Sequence, residues 1–196
     1  MTPTAVTTVV LVCVLVVLAA LAWVLPPRRV SGRVASGLLV AGLATLGLVG
    51  LLGGAVTSPD GVVATALLVD LFVVAVAGGG PVTATVLSLV DRGATARAEG
   101  AHAEEVLRGG AWIGVFERAA VFATLTAGWP EGLAVVLALK GLGRYSELRA
   151  DASPAAGAGP ATTPRSTGGV AERFLVGSFA SLLWAVACAG VLLALT

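Results

Sequence analysis

Eight ionisable residues lie inside or at the edges of apolar segments of this chain, an environment that is unfavourable for a charged side chain. They are Asp70, Glu117, Arg118, Lys140, Arg144, Glu147, Glu172 and Arg173. A charged group at the depth of a lipid bilayer costs about 3 kcal/mol even on lenient insertion scales, so such groups find partners or serve a function. Acidic and basic groups together can pair between helices, bind a solute, an ion or a lipid headgroup, or dock a partner.

The composition predicts that membrane-spanning helices carry these charges. Hydrophobic residues make up 57% of the 196 residues and charged residues 12%, about half the charged fraction of a soluble domain. The apolar residues occur in blocks that approach or reach the roughly 20 residues needed to cross the hydrocarbon core. We therefore predict an all-α fold, a polytopic transmembrane helix bundle of about six spans in a cell membrane.

Turn residues between the apolar blocks set the expected spans. These are residues 5–25, 34–56, 62–79, 111–128, 133–145 and 170–195. They form an N-terminal three-span part, residues 1–80, and a C-terminal three-span module, residues 111–196. The module contains a loop at 150–169 whose Ala, Gly, Pro, Ser and Thr residues are typical of a flexible linker.

The segment between the two parts is expected to be cytoplasmic. The run from Gly78 to Pro81 contains three glycines and a proline, so we predict a break in the chain there. The nine apolar residues 82–90 are too few to cross the core and predict an interfacial or re-entrant helix, with a seventh span as the alternative. Residues 81–110 would then form one interfacial, amphipathic helical segment.

Arginine residues in the loops predict the orientation. The first, third and fifth connecting segments carry arginine, whereas the second and fourth carry neither lysine nor arginine. Basic loop residues are retained in the cytoplasm. We therefore expect both termini outside the cytoplasm.

Helical rise places several charged residues at matching depths, at about 1.5 Å per residue. Glu117 and Arg144 are both expected about 10 Å from the inner edge of the core, and Asp70 and Lys140 near its midplane. Lys140, Arg144 and Glu147 share one helix face by their i, i+4, i+7 spacing. We predict a polar cluster open to the cytoplasmic leaflet, with three pairings: Glu117 with Arg144, Arg118 with Glu147 or Glu172, and Asp70 with Lys140.

Small residues at every fourth position indicate how the spans pack, because they let helix backbones approach closely in lipid. The candidates in the second span are Gly37, Ala41, Gly50 and Gly54. Those in the sixth span are Gly177, Ser181 and Ala185.

Three motifs of the C-terminal module carry a family resemblance. They are GAWIGVFER at 110–118, ALKGLGRY at 138–145 and AERFLVGSFAS at 171–181. In this order they resemble a family of small bacterial integral-membrane proteins grouped as a domain of unknown function, whose pattern reads I-G-x-x-E-R, A-A-K-S-x-x-R-F and A-E-Y-x-x-I-G-T-x-x-S. The chain departs from it at Gly141, Tyr145, Arg173 and Ser178. The resemblance implies a membrane location and a shared polar cluster, and it implies no activity.

Two functions remain open. In the first, the protein is a transport, accessory or assembly component whose charged cluster gates a solute or docks a partner. In the second, it is a membrane-embedded enzyme or binder that acts on anionic lipid headgroups through Arg118, Arg144 and Arg173. The first is favoured because an enzyme of this type is expected to show a recurring acid, base or metal constellation, whereas only mixed acid–base pairs occur in the sequence.

The expected partners follow from composition. The single histidine, His102, and the two cysteines, Cys13 and Cys188, have no metal-ligand spacing, so we expect no metal and no cofactor. A net charge of +1 without a basic–aromatic run gives no support for nucleic acid as a partner. The lipid bilayer is expected, together with another membrane protein or a second copy of the chain.

Overall fold

Six α-helices make up the described part of the chain in the computed structural model, which covers residues 3–24, 30–52, 61–90, 103–152 and 167–196. They are α1 (Pro3–Val24), α2 (Val30–Leu51), α3 (Gly61–Val90), α4 (Ala103–Thr126), α5 (Gly132–Ala152) and α6 (Thr167–Leu195). No strand occurs in these ranges. The predicted all-α helix bundle is confirmed.

The surface of the described helices is apolar, as expected for helices that contact lipid. Large apolar side chains point outward, such as Val17, which is 65% exposed, and Phe116, which is 68% exposed. Among the side chains that the structure describes, Glu131 and Arg173 are the only charged ones that are exposed. Both lie near a helix end, in the turn before α5 and near the start of α6.

Three helices contain segments long and apolar enough to cross a membrane. They are Gly32–Leu51, Gly61–Val90 and Arg173–Leu195. Shorter apolar segments are Val10–Ala22 in α1 and Gly132–Leu142 in α5. A helix satisfies its backbone hydrogen bonds within itself, which is what hydrocarbon requires of a crossing element. Together with the apolar surface, these lengths indicate a membrane location.

α3 and α6 occupy the centre of the bundle. α3 packs against α1, α2, α4 and α6, α6 also packs against α2 and α4, and α5 packs against α4. Leu39, Leu67, Val74, Cys188 and Ala189 are fully buried between these helices. Since lipid is as apolar as these side chains, close packing and polar contacts hold the helices together more than the hydrophobic effect does.

The predicted break at Gly78 is wrong, because α3 continues through Pro81 to Val90 as one helix. Its 30 residues correspond to about 45 Å, enough to span the core and both headgroup regions. Pro81 cannot donate a hydrogen bond to the helix, yet membrane helices tolerate proline because neighbouring helices supply polar contacts. Residues 82–90 are therefore neither a separate interfacial helix nor a seventh span.

A short turn joins α4 and α5. Gly128 adopts a φ of 72°, and its N–H donates to Leu125 O while the N–H of Trp129 donates to Thr124 O. These two bonds form a Schellman motif, which requires a residue that accepts a left-handed conformation. Gly132 lies so close to α4 that a Cβ there would be 2.5 Å from Cγ2 of Thr124. The two glycines thus set α5 directly against α4.

Candidate functional site

The glycines of α3 provide the space for two large side chains from other helices. A Cβ at Gly78 would lie 2.9 Å from Cζ2 of Trp184. A Cβ at Gly79 would lie 2.7 Å from Nε of Arg118 and would overlap its Cδ. Trp184 comes from α6 and Arg118 from α4, so both cross α3 at this point. The run that sequence reasoning interprets as a break is an interhelical contact surface.

Arg118 joins three helices through its guanidinium group. Its Nε donates to the carbonyl oxygen of Val76 on α3 at 3.0 Å, and its Nη1 donates to Oγ of Ser181 on α6 at 3.0 Å. The residue is 4% exposed. A helical carbonyl oxygen has a second lone pair that can accept such a bond. Trp184 makes a similar contact one half-turn away, where Nε1 donates to Val74 O at 3.1 Å.

Glu117, beside Arg118, forms an ion pair with Lys140 of α5. The side chain of Glu117 is 10% exposed and that of Lys140 is 17% exposed, so both are largely buried. The Lys140 ammonium also lies 5.7 Å from the centroid of the Phe174 ring on α6, within the range of a cation–π contact. The pair therefore links α4 to α5 and brings α5 near the start of α6.

We call Glu117, Arg118, Lys140 and Ser181 the α4 polar cluster, because two of its members lie on α4 and the others contact them. The cluster joins α3, α4, α5 and α6 by charge-assisted hydrogen bonds, which are stronger than neutral ones. Two positive charges and one negative charge leave one excess positive charge inside it. Within the described ranges there is no group of three or more potential metal ligands.

One predicted pairing, that of Asp70 with Lys140, differs from the structure. Lys140 pairs with Glu117, whereas Asp70 Oδ2 accepts a hydrogen bond from Cys13 Sγ of α1 at 3.8 Å. Asp70 precedes Gly79 by nine residues, hence by about 14 Å along α3. The predicted Asp70–Lys140 pair is wrong, because two residues at the same depth can lie on helices that are not in contact. The helix of Lys140, α5, packs against α4, whereas α3 faces α1 at Asp70.

Arg118 donates to a carbonyl and a hydroxyl, two partners that the sequence did not predict. The side chains of Arg144, Glu147 and Glu172 lie outside the described residues, so the pairings expected of them stay predictions. Arg173 is exposed near the start of α6.

The small residues of α6 lie against neighbouring helices. Ser181 is 6% exposed and Ala185 is fully buried. A Cβ at Gly177 would be 3.5 Å from Cδ1 of Leu87 on α3. This stripe carries the acceptor for Arg118 as well as packing surface.

The small residues of α2 divide into two groups. A Cβ at Gly50 would lie 2.9 Å from the carbonyl oxygen of Ala194, so α2 and α6 approach closely there. Gly37 has no atom within 4 Å of its Cβ position, and Ala41 is exposed. Gly37 and Ala41 therefore do not pack against another described helix of this chain. Gly54 lies outside the described residues.

A second polar group, which sequence reasoning missed, lies between α2 and α3. Thr85 Oγ1 donates to Oγ of Ser36 at 3.0 Å, and Ser36 donates to Pro81 O at 3.4 Å. Within the described part of the chain, Arg33 Nε and Thr83 Oγ1 are buried without a hydrogen-bond partner. Serine and threonine within an apolar run were the available signal, but their facing partners depend on helix rotation.

Comparison of the chain with protein-family models, curated proteins and solved structures gives no significant match to any of them.

Proposed function

We propose that the protein is a multi-pass membrane component of the accessory or assembly type, in which the α4 polar cluster fixes the α4–α5 hairpin to the central helices. One observation carries the proposal. Arg118 directs its donors to α3 and α6, while Glu117 is paired with Lys140 of α5. Groups held by several helices position those helices; they are poorly placed to release a transported solute.

The fixed hairpin presents a surface that suits another membrane helix. α5 packs against α4, and its outward side carries Val135, Leu139 and Leu142, which are 48%, 64% and 71% exposed. Gly141 lies among them with no atom within 4 Å of its Cβ position. A second copy of the chain or a different membrane protein could pack closely here.

The proposed topology has six crossings, with both termini outside the cytoplasm. Three long apolar helices and two shorter apolar segments support it, and so does the alternation of arginine-bearing loops. Residence in a bacterial plasma membrane and membership of the family that the C-terminal motifs resemble belong to the same proposal. With native cysteines replaced, a cysteine at Glu131 should react with a membrane-impermeant maleimide in intact cells, and one at Ser166 only after permeabilisation. The reverse pattern would contradict the topology.

Native gel electrophoresis of mildly solubilised membranes tests the assembly role. The wild-type chain should migrate in a complex larger than one chain, and Lys140→Glu should release it. The double reversal Glu117→Lys with Lys140→Glu should restore the complex, because it restores the ion pair. Glu131→Lys is a matched control, since Glu131 is an exposed acidic residue of the α4–α5 turn. A wild-type chain that migrates alone would contradict the proposal.

Proteoliposomes separate assembly from transport. The full chain should give no more proton or potassium flux than protein-free liposomes. Flux that Glu117→Gln abolishes would favour a transport role for the cluster.

The alternative function at lipid headgroups loses support at its central residue. Arg118 is 4% exposed, and it donates to two groups within the bundle. An arginine so placed is a poor ligand for a headgroup at the membrane surface.

A further inference from the structure

An open apolar groove runs along the side of the bundle between α2 and α6, with α3 as its floor. It has a volume of about 550 Å³. α2 lines it from Val40 to Leu51, α3 contributes Val82 and Val86, and α6 contributes residues that include Ala187. Its length along α2 is about 16 Å, close to the thickness of one hydrocarbon leaflet, about 15 Å.

The helices on both sides of the groove run in the same direction. A Cβ at Gly47 would lie 3.3 Å from Val191, and one at Gly50 would lie 3.0 Å from Cβ of Ala194. Both contacts join residues 144 positions apart in the sequence, so Arg33 is expected level with residue 177. The beginnings of α2 and α6 therefore mark one end of the groove.

Two arginines lie beyond that end of the groove, on the helix faces that line it. Arg33 precedes the groove residue Val40 by seven residues, and Arg173 precedes the groove residue Ala180 by seven. Seven residues are nearly two helical turns, so each arginine lies on the same helix face as the groove residue that follows it. Thr83, next to Val82 on the floor, completes the polar end on α3.

The polar end contains buried polar atoms. Arg33 Nε and Thr83 Oγ1 are both buried, and neither has a hydrogen-bond partner in the described residues. A buried donor without a partner is costly. A guanidinium group matches the oxygen atoms of a phosphate in charge and in hydrogen-bond geometry.

We propose that this groove binds an anionic phospholipid from the leaflet at the arginine end, with its phosphate against the partly exposed side chain of Arg33 and one acyl chain along α2. The positive charge at the arginine end favours an anionic headgroup. The apolar groove next to it favours a lipid, which carries an acyl chain, over a free anion. Arg173, which is exposed, adds positive charge one turn nearer the surface. The site shares no residue with the α4 polar cluster, so either proposal can fail alone.

Native mass spectrometry of the full chain, loaded with phosphatidylglycerol or phosphatidylcholine of identical acyl chains, tests the site. Wild type should retain phosphatidylglycerol several-fold better. Arg33→Gln should lower that retention roughly fivefold, the effect of about one interfacial positive charge. Ala187→Phe, which fills the groove from an exposed position, should lower the retention of both lipids.

Two control variants are matched to these changes. Arg165→Gln removes one positive charge outside the described residues, and Ala138→Phe adds a ring at an exposed position of α5. Both should retain lipid as wild type does. Equal retention of the two lipids by wild type, or unchanged retention by Arg33→Gln, would overturn the proposal. If inorganic phosphate displaces the lipid and Ala187→Phe has no effect, the site binds a free anion. If Ala187→Phe dissociates a dimer, the groove binds a second copy of the chain. Either result also overturns the proposal.

Discussion

Removing one partner of the Glu117–Lys140 ion pair should destabilise the bundle far more than removing both. The side chains are 10% and 17% exposed, so neither charge is well solvated once its partner is lost. Lys140→Met leaves a buried carboxylate, at a cost of about 3 kcal/mol. Glu117→Gln leaves an ammonium that reaches outward along its flexible stem, so we expect a smaller loss, about 2 kcal/mol.

The double variant Glu117→Gln with Lys140→Met should be within about 1 kcal/mol of wild type, because replacing a whole buried pair is often neutral. The double-mutant cycle should therefore give a coupling energy of at least about 4 kcal/mol. Equilibrium unfolding of the full chain by SDS in mixed micelles, followed by circular dichroism, measures each free energy. Glu131→Gln serves as the exposed control and should change little. A coupling below about 0.5 kcal/mol, the value of a surface pair, would refute the reasoning.

Two further variants test the contacts of Arg118 in the same unfolding assay. Gly79→Ala should destabilise by about 2 kcal/mol, because its Cβ would overlap the Arg118 side chain and overpacking costs about 1–3 kcal/mol. Gly37→Ala, which adds a Cβ in open space, should be neutral or slightly stabilising; equal effects of the two would contradict a steric role for Gly79. Ser181→Ala should cost about 1.5 kcal/mol, because it removes the acceptor of a charged donor. Ser178→Ala should cost less than half as much, and a reversed order of the two would rule out the Arg118 hydrogen bond as a stabilising contact.

Hydrophobic patterning predicts most of the fold, because apolar blocks of this length are typical of helices in lipid. The expected spans correspond to α1, α2, α4, α5 and α6, with shifts at their ends. The error at Gly78 has a specific cause. In a soluble protein, a run of glycine and proline predicts the end of a helix. In this bundle, the glycines of the run instead leave space for side chains from neighbouring helices.

The polar cluster could be predicted in part. Charge type and depth place Glu117, Arg118 and Lys140 in one region, and the structure joins them through α4. Depth is one coordinate, however, and pairing also depends on helix rotation and on which helices are neighbours. The carbonyl of Val76 as a ligand for Arg118 had no signal in the sequence, because every residue carries a carbonyl group.

The central claim is that an acidic and a basic side chain meet between α4 and α5. Lys140 is the only lysine of the chain, so lysine labelled with ¹⁵N at Nζ gives one signal in solid-state NMR of the full chain in lipid bilayers. We predict dipolar coupling of this nitrogen to a glutamate carboxyl carbon, at a separation of roughly 3–4 Å, and loss of that coupling in Glu117→Gln. No coupling in the wild-type chain, or a coupling that survives Glu117→Gln, would contradict the account.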